Sequence, residues 1–266
     1  MILQLYDHFR ERSMADSVKD LIYLFQTPRT VYDEPIGKLK LIGAGKFSSD
    51  FRYAKRIYIE HPDQKSIISK YAEHPASPMP TLNPMYIEAV RKLGKEIEFI
   101  RWACSKLNMP LLPRLVNEQQ LLSPEFVFLK AHAMEDLLLL LRDNWDHYAS
   151  NLSSRNRNTS RLKEAISEIM VPCINGPSRR LDQTVLPLEV LKLAGPDLAF
   201  VNIPDPNDIR WLKFSTFGVL TGLSAEFYLR ELKALAAHPV TDGTSESAVE
   251  AIYVKLGSYK VRGAVR

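Results

Sequence analysis

The segment Gly43-Ala44-Gly45-Lys46 has the glycines and the lysine of a phosphate-binding loop. Such a loop requires a glycine five residues before its second glycine, where this chain has Lys40. It also requires a serine or threonine after the lysine to reach magnesium, where this chain has Phe47. We therefore do not predict nucleotide binding at this segment.

A second set of residues has side chains that could hold a metal ion. The set lies in a segment predicted to be one long helix and consists of His132, Glu135, Asp136, Asp143 and His147. Spacings of three and four residues put each His–carboxylate pair on one helix face, as a metal site requires. The apolar residues of that helix occupy the other face, so we interpret the set as solvent-exposed. A metal-dependent nuclease or phosphohydrolase is the enzymatic alternative, but we predict no catalysis, no metal and no cofactor.

The basic residues give the stronger functional signal, because they are concentrated. The chain of 266 residues has 35 basic and 31 acidic side chains, a net charge of +4. Three segments, 38–56, 152–163 and 254–266, together hold 14 basic residues and one acidic residue, which leaves 21 basic and 30 acidic residues elsewhere. Basic patches on an acidic body are typical of a protein that binds a polyanion. The alternative is that these segments are ordinary solvated faces that do not converge in space.

These segments supply the candidate DNA-binding residues. They are Lys38, Lys40, Lys46, Arg52, Lys55, Arg56, Arg155, Arg157, Arg161, Lys255, Lys260, Arg262 and Arg266. Tyrosine, asparagine, serine and threonine residues lie between them. Lysine and arginine give salt-dependent affinity, and the neutral polar groups can bind phosphates or base edges.

The first basic segment alternates basic and apolar residues over 38–42, which predicts a short half-buried strand with a basic outer face. Ser48 or Ser49 is a suitable cap for a following helix to residue 60, and a second short helix is predicted over 62–71. A two-stranded ribbon fits the major groove of DNA. Because the chain offers one such strand here, this interpretation predicts a homodimer to which each copy contributes one strand. The segment 209–214, with Arg210 and Lys213, is the alternative position for the strand.

The rest of the chain reads as a mainly helical α+β protein. Asn83 and Ser123 are good N-caps, each followed by proline, and start two predicted long helices whose apolar residues alternate in spacings of four and three. We expect the two helices to pack as an antiparallel hairpin or across a dimer axis. The predicted organisation is an N-terminal helical segment (1–36), a strand-helix-helix unit (37–73), a proline-rich linker (74–84), a helical body (85–240) and a basic tail (241–266), with an exposed loop at 153–160 and an extended or paired-strand end at 252–265.

Membrane insertion is not expected, because the longest apolar runs, 21–25 and 137–141, are five residues each and a bilayer span needs about 20. Residues 1–13 are charged and have no long apolar core, so we expect no signal peptide. The only two cysteines, Cys104 and Cys173, are far apart and match no metal-binding pattern. We expect a cytoplasmic protein.

The order of features resembles the AcaB-like transcriptional regulators of conjugative plasmids and integrating conjugative elements. The similar strings are Lys38-Leu39-Lys40-Leu41-Ile42 leading into Phe51-Arg52-Tyr53-Ala54-Lys55-Arg56, the long helices, and the basic end 259–266. The resemblance implies a dimeric ribbon-helix-helix-related protein that binds promoter DNA and activates transfer genes, with an extended tail assisting. A non-catalytic adaptor of a DNA-processing complex is the remaining alternative, in which the apolar seams of the long helices pair with another chain.

Overall fold

The structure, a computed structural model, describes residues 14–27, 40–42, 51–61, 66–119, 121–153, 157–237 and 244–263. These residues are mainly helical and include two separate two-stranded antiparallel sheets, which confirms the predicted α+β class. The chain divides into two compact units. The first unit comprises residues 1–115 and 123–128, and the second comprises 116–122 and 129–266.

The first unit is built around a helical core. Its elements are α1 (Met14–Gln26), β1 (Lys40–Ile42), β2 (Phe51–Tyr53), a 3-10 turn (Ala54–Arg56), α2 (Ile67–Tyr71), α3 (Pro84–Arg91), α4 (Glu96–Lys106) and the start of α5 (Pro124–His132). Leu21, Ile57, Tyr86 and Phe99 are almost fully buried in its core. Each such side chain contributes about 1.5–3 kcal/mol through apolar burial.

The first predicted long helix is two helices. Its start is confirmed, because the Asn83 side chain accepts a hydrogen bond from the Met85 backbone and Pro84 is the first helical residue. The helix ends at Arg91, and α4 begins at Glu96. Gly94 between them has φ +67°, a conformation that glycine adopts without steric cost. This turn lets both halves of the segment pack on the same core.

The proline-rich segment 74–84, predicted as a linker, instead packs inside the first unit. The backbone N–H of Tyr58 donates to the Pro80 carbonyl across 2.7 Å, and the N–H of Leu82 donates to the Tyr58 carbonyl across 2.8 Å. Met79 and Leu82 are buried. Proline favours extended backbone in the residue before it. Here the extended backbone of this segment forms hydrogen bonds with Tyr58 and does not act as a spacer between two domains.

The second unit continues the helical body and adds a hairpin. Its elements are the end of α5, α6 (Met134–Asp143), α7 (Trp145–Ser153), α8 (Arg157–Ser167), β3 (Met170–Cys173), β4 (Gly176–Arg180), a 3-10 turn (Leu181–Gln183), α9 (Glu189–Ala194), a 3-10 helix (Ile209–Phe217), α10 (Ala225–Ala237) and α11 (Thr244–Gly263). The hairpin of β3 and β4 is not among the predicted elements, and α8 begins inside the predicted loop 153–160.

The second predicted long helix is also broken. Ser123 is its N-cap as predicted, because its hydroxyl accepts a hydrogen bond from the Phe126 N–H across 3.0 Å. The chain leaves helical geometry at Ala133 and again at Asn144. The segments before and after the first break bury different sides. Val127, before the break, is 55% exposed, whereas Leu138 and Leu141, after it on the same predicted apolar seam, are buried. The predicted hairpin of two continuous helices is therefore wrong.

The alternative strand at 209–214 is wrong as well, because Ile209–Phe217 is a 3-10 helix. Asp208 caps it by accepting a hydrogen bond from the Arg210 N–H across 3.0 Å. Trp211, Phe214 and Phe217 are all buried. Their spacing of three matches the three residues per turn of a 3-10 helix, so all three lie on one side.

The C-terminal segment is helical rather than extended. The helix α11 covers residues 252–263 of the segment 252–265 that is predicted as a strand pair or an extended basic tail. Its alanine, glutamate, lysine and leucine residues are strong helix formers, and Ile252 lies on a face that packs against α10. Among the described residues, no helix has both the length and the apolar character that a membrane crossing requires.

Candidate nucleic-acid interface

The basic ribbon is formed within one chain. Strand β1 pairs antiparallel with β2, with Lys40 opposite Tyr53, Leu41 opposite Arg52 and Ile42 opposite Phe51. The described part of the strand predicted at 38–42 is thus confirmed, and its partner lies in the same chain, whereas pairing across a dimer axis stays a prediction. Closing a loop of eight residues costs less free energy than bringing two chains together, which favours the local partner.

The helix predicted from Ser48 or Ser49 to residue 60 does not form over its described part. Residues 51–53 are the strand β2, 54–56 are a 3-10 turn, and 57–59 are extended. Phe51, Tyr53, Ile57 and Ile59 are aromatic or β-branched, and such residues favour strands over helices. The second predicted helix is present as α2, which begins at Ile67 with Ser66 as its N-cap.

The exposed part of β2 and the turn after it are basic. Arg52 and Arg56 are exposed, Lys55 is half-buried, and Tyr53 is 40% exposed. Ala54, between these residues, is fully buried. The exposed surface therefore combines the cations of Arg52 and Arg56 with the ring of Tyr53, and the buried Ala54 holds the backbone between them.

Two backbone hydrogen bonds fix the chain directly after the ribbon. Both the backbone N–H and the backbone carbonyl of Tyr58 form hydrogen bonds with the extended segment around Thr81, and the two segments form a parallel bridge. Ile57 and Ile59 flank Tyr58 and are buried. The ribbon therefore ends in a segment with little freedom to move.

Arg114 holds the turn that carries Lys55 and Arg56. Its guanidinium donates a hydrogen bond to the backbone carbonyl of Lys55. Its own backbone N–H donates to the Tyr58 hydroxyl oxygen across 3.4 Å, and its carbonyl accepts from the Ser123 hydroxyl. Arg114 thus ties the basic turn to the N-cap of α5.

The hydroxyl of Tyr58 completes this network. It donates to Oε1 of Glu125, in the first turn of α5, across 2.7 Å. Burial, and then the neighbouring carboxylate, raise the pKa of Tyr58 well above its ordinary value. The hydroxyl therefore stays protonated, as a hydrogen-bond donor must. Tyr58, Arg114, Ser123 and Glu125 together form what we call the ribbon support.

The other predicted DNA-binding residues are distributed over both units. Lys38, Lys46, Arg155 and Arg266 lie outside the described residues. Lys40 lies in β1, Arg157 and Arg161 in α8, and Lys255, Lys260 and Arg262 in α11. Arg161 is exposed, and Nζ of Lys255 lies 5.4 Å from the centroid of the Tyr228 ring. The first basic segment belongs to the first unit, and the other two belong to the second.

The first half of the predicted metal-binding set is separated by a helix break. His132 ends α5, whereas Glu135 and Asp136 lie in the first turn of α6. Ala133 between them has φ −147° and ψ 44°, which is not helical. A spacing of three residues therefore no longer places His132 and Glu135 on one face.

The second half of that set is engaged in ordinary packing. Asp143 pairs with Arg142 at 2.7 Å and with Arg210 at 2.9 Å. The helix break at Asn144 separates it from His147, whose ring lies edge-on to the ring of Tyr148. Among the residues that the structure describes, no three His, Cys, Asp or Glu side chains converge as metal ligands.

Neither cysteine has the environment of a nucleophile. Burial raises the pKa of the Cys104 thiol and that of the Cys173 thiol above the ordinary value. A reactive thiol requires a lowered pKa, because the thiolate is the attacking species.

The sequence gives no pattern that would identify the ribbon support. Arg114 and Glu125 stand outside the three basic segments: Arg114 lies in the connection between the two predicted long helices, and Glu125 lies at the start of the second. Arg114 lies 59 positions after Lys55, and Glu125 lies 67 positions after Tyr58. Only the capping role of Ser123 is visible in the sequence, from its place before Pro124.

Comparison with known proteins adds no family, since no family model, no curated protein and no solved structure matches this chain.

Proposed function

We propose that this protein is a cytoplasmic, sequence-specific DNA-binding regulator that reads promoter DNA through the ribbon of β1 and β2. The observation that carries the proposal is the basic ribbon on a fixed support: Arg52 and Arg56 are exposed, and the backbone between them is held by Arg114. No catalytic step is part of this function.

The geometry of a ribbon supports duplex DNA as the partner. A two-stranded antiparallel ribbon fits the major groove, which is about 12 Å wide. Arginine pairs with the O6 and N7 atoms of guanine there, and lysine or arginine at the edge of the ribbon neutralises phosphates. We assign base reading to Arg52 and phosphate contacts to Lys55 and Arg56. A fixed support lowers the entropy lost on binding, which favours affinity.

The regulatory part of the proposal follows the resemblance to AcaB-like regulators. It assigns promoters of conjugative transfer genes as targets and activation as the effect. The proposal keeps a ribbon-helix-helix-related homodimer as the acting species, because a two-fold dimer presents two ribbons to half-sites about 34 Å apart.

Sequencing of DNA fragments recovered with the full-length protein tests this function. We expect fragments that share one short motif, and we expect the motif to disappear with the Arg52→Ala variant. Recovery without sequence preference would favour the adaptor alternative. The nuclease alternative predicts stoichiometric metal and cleavage of supercoiled DNA, and both are measured on the same purified protein.

A further inference from the structure

Helix α10 buries a carboxyl group that has no donor for one of its oxygens. Glu231 is 4% exposed, and among the described residues no group forms a hydrogen bond with its Oε2. Removing an ionised carboxylate from water without a partner is strongly unfavourable, whereas a protonated carboxyl group is neutral and far easier to bury. The packed structure therefore favours a proton on Glu231.

The segment that closes over this carboxyl group is residues 195–198, which we call the cover. A β-carbon at Gly195 would lie 2.5 Å from Oε2 of Glu231 and 2.9 Å from side-chain atoms of both Leu198 and Phe227. The glycine backbone therefore lies against the carboxyl group, and two buried apolar side chains adjoin the same place. A metal ion needs several oxygen ligands around it, whereas a proton fits this apolar site.

The charge that acts on Glu231 comes from the cover itself. The carboxylate of Asp197, which is exposed, disfavours ionisation of Glu231. Charged groups of the neighbouring helices are engaged elsewhere. On α9 Lys192 pairs with Glu189 at 2.9 Å, on α10 Arg230 pairs with Glu226 at 3.1 Å, and on α11 Lys255 lies over the Tyr228 ring.

A few hydrogen bonds hold the cover in place. The Gly195 N–H donates to the Leu191 carbonyl across 3.0 Å, and the Leu198 N–H donates to the Gly195 carbonyl across 3.2 Å. The side chain of Asn175, between β3 and β4, donates to the carbonyls of Pro196 and Leu198 across 3.3 and 2.7 Å. A segment outside regular helices and strands with so few bonds opens at a lower free energy than the core does.

We propose that residues 195–198 and Glu231 form a pH-sensitive cover, which is closed while Glu231 is protonated and opens when Glu231 ionises and is hydrated. Opening also releases Asn175, so the turn between β3 and β4 loses its attachment to the cover. This device does not depend on DNA binding.

The direction of the pH dependence follows from the two states of Glu231. Burial, and then the charge of Asp197, raise the pKa of Glu231 to about 7 in the closed state. In the open state the hydrated carboxyl group has its ordinary, lower pKa. Opening therefore releases a proton and becomes more favourable as the pH rises from 5 to 8.

Hydrogen exchange of the full chain at pH 5 and pH 8, corrected for the intrinsic exchange rates, tests the cover. The protection factors of the Gly195 and Leu198 amides should fall at least about tenfold at pH 8. The Val201 N–H donates to the Val185 carbonyl across 3.0 Å, outside the cover. At pH 8 this amide should stay better protected than that of Leu198, because opening of the cover leaves its bond intact.

Three variants assign the effect to Glu231. Glu231→Gln stays neutral, so its cover should be equally protected at both pH values. Glu226→Gln removes a carboxylate that is 56% exposed on the same helix and should behave as the native chain does. Asp197→Asn changes an exposed residue and should reduce the fall in protection, because the remaining carboxyl group then ionises more easily in the closed state. This variant tests the cover even if Glu231→Gln does not fold.

Two results would overturn the proposal. One is a native cover whose protection is the same at pH 5 and pH 8, or a fall that persists in Glu231→Gln. The other is equal protection of Leu198 and Val201 at pH 8, because both amides would then exchange only when the whole unit unfolds.

Discussion

The hydroxyl of Tyr58 donates a hydrogen bond to Oε1 of Glu125 across 2.7 Å, joining residues 67 positions apart. Tyr58 directly follows the ribbon and its 3-10 turn, and Glu125 lies in the first turn of α5. With the bond from Arg114 to the Lys55 carbonyl, this contact gives the basic ribbon a defined position on the first unit. The proposed function depends on that position as well as on charge.

Replacing Tyr58 by phenylalanine removes the hydroxyl and keeps the buried ring. The carboxylate of Glu125 loses a donor, and the Arg114 N–H loses an acceptor. We expect the free energy of unfolding to fall by about 1–2 kcal/mol in urea titrations. Tyr23→Phe is the matched control, because Tyr23 is 70% exposed, and it should change stability by less than about 0.5 kcal/mol. Equal stability of Tyr58→Phe and the native chain would show that the network does not support the ribbon.

Replacing Arg114 by glutamine frees the Lys55 carbonyl without altering any side chain of the ribbon. The turn would then have to be ordered on binding, so we expect DNA affinity to fall about three- to tenfold at fixed salt. Fluorescence anisotropy with the recovered duplex measures this. Arg101→Gln, at an exposed position on α4, removes the same charge and should bind as the native chain does. If both variants lose affinity equally, only the net charge matters.

A substitution at Gly195 tests the packing of the second unit. A β-carbon there would lie 2.5 Å from Oε2 of Glu231 and 2.9 Å from both Leu198 and Phe227 side-chain atoms. Gly195→Ala should therefore lower the unfolding free energy by about 1–3 kcal/mol. At Gly222 the space is open, and Gly222→Ala should have an effect below about 0.5 kcal/mol. A mild effect at Gly195 would show that α9 and α10 pack differently.

Glu231 should make the stability of the second unit depend on pH. It is 4% exposed, and among the described residues no donor reaches its Oε2. Burial, and then the charge of Asp197, raise the pKa of Glu231 to about 7. The folded state thus holds a proton that the unfolded state loses, so this stabilisation is complete below about pH 4.5 and is lost as the pH rises to 7.

The variant Glu231→Gln should remove that dependence, because its side chain stays neutral. We expect it to exceed the native chain in stability by about 1–3 kcal/mol at pH 8 and to show almost no advantage at pH 4. Urea titrations at both pH values measure the difference. Glu226→Gln, at an exposed position on the same helix, should differ by less than about 0.5 kcal/mol at either pH. The same difference between Glu231→Gln and native at both pH values would rule out titration of Glu231.

Local signals in the sequence predict much of the helical fold. Asn83 and Ser123 start helices as predicted, because capping depends on neighbouring residues alone. The C-terminal ends of these helices are not predictable from neighbouring residues in this way. A regular spacing of apolar residues continues across Gly94, Ala133 and Asn144, yet the chain breaks at each because packing favours a turn.

The candidate site is only partly visible in the sequence. Alternation predicts the strand at 40–42, and charge singles out Arg52 and Arg56. The in-chain partner Phe51–Tyr53 is missed, since a single serine before an apolar face also indicates a helix. The bond from Arg114 to Lys55 joins residues 59 positions apart, and no local pattern encodes such a contact.

The most direct test of the DNA-binding function is a salt titration of binding to the recovered duplex, with a double variant of the ribbon. For the native chain we expect log affinity to fall linearly with log salt concentration. Arg52→Ala with Arg56→Ala should lower the affinity about 100-fold at moderate salt and reduce the slope by about 0.9, because only Arg56 of the two is assigned a phosphate contact. The control, Arg101→Ala with Lys106→Ala, removes two exposed basic residues of α4 and should match the native chain. A ribbon variant with native affinity and native slope would contradict the claim that this ribbon binds DNA.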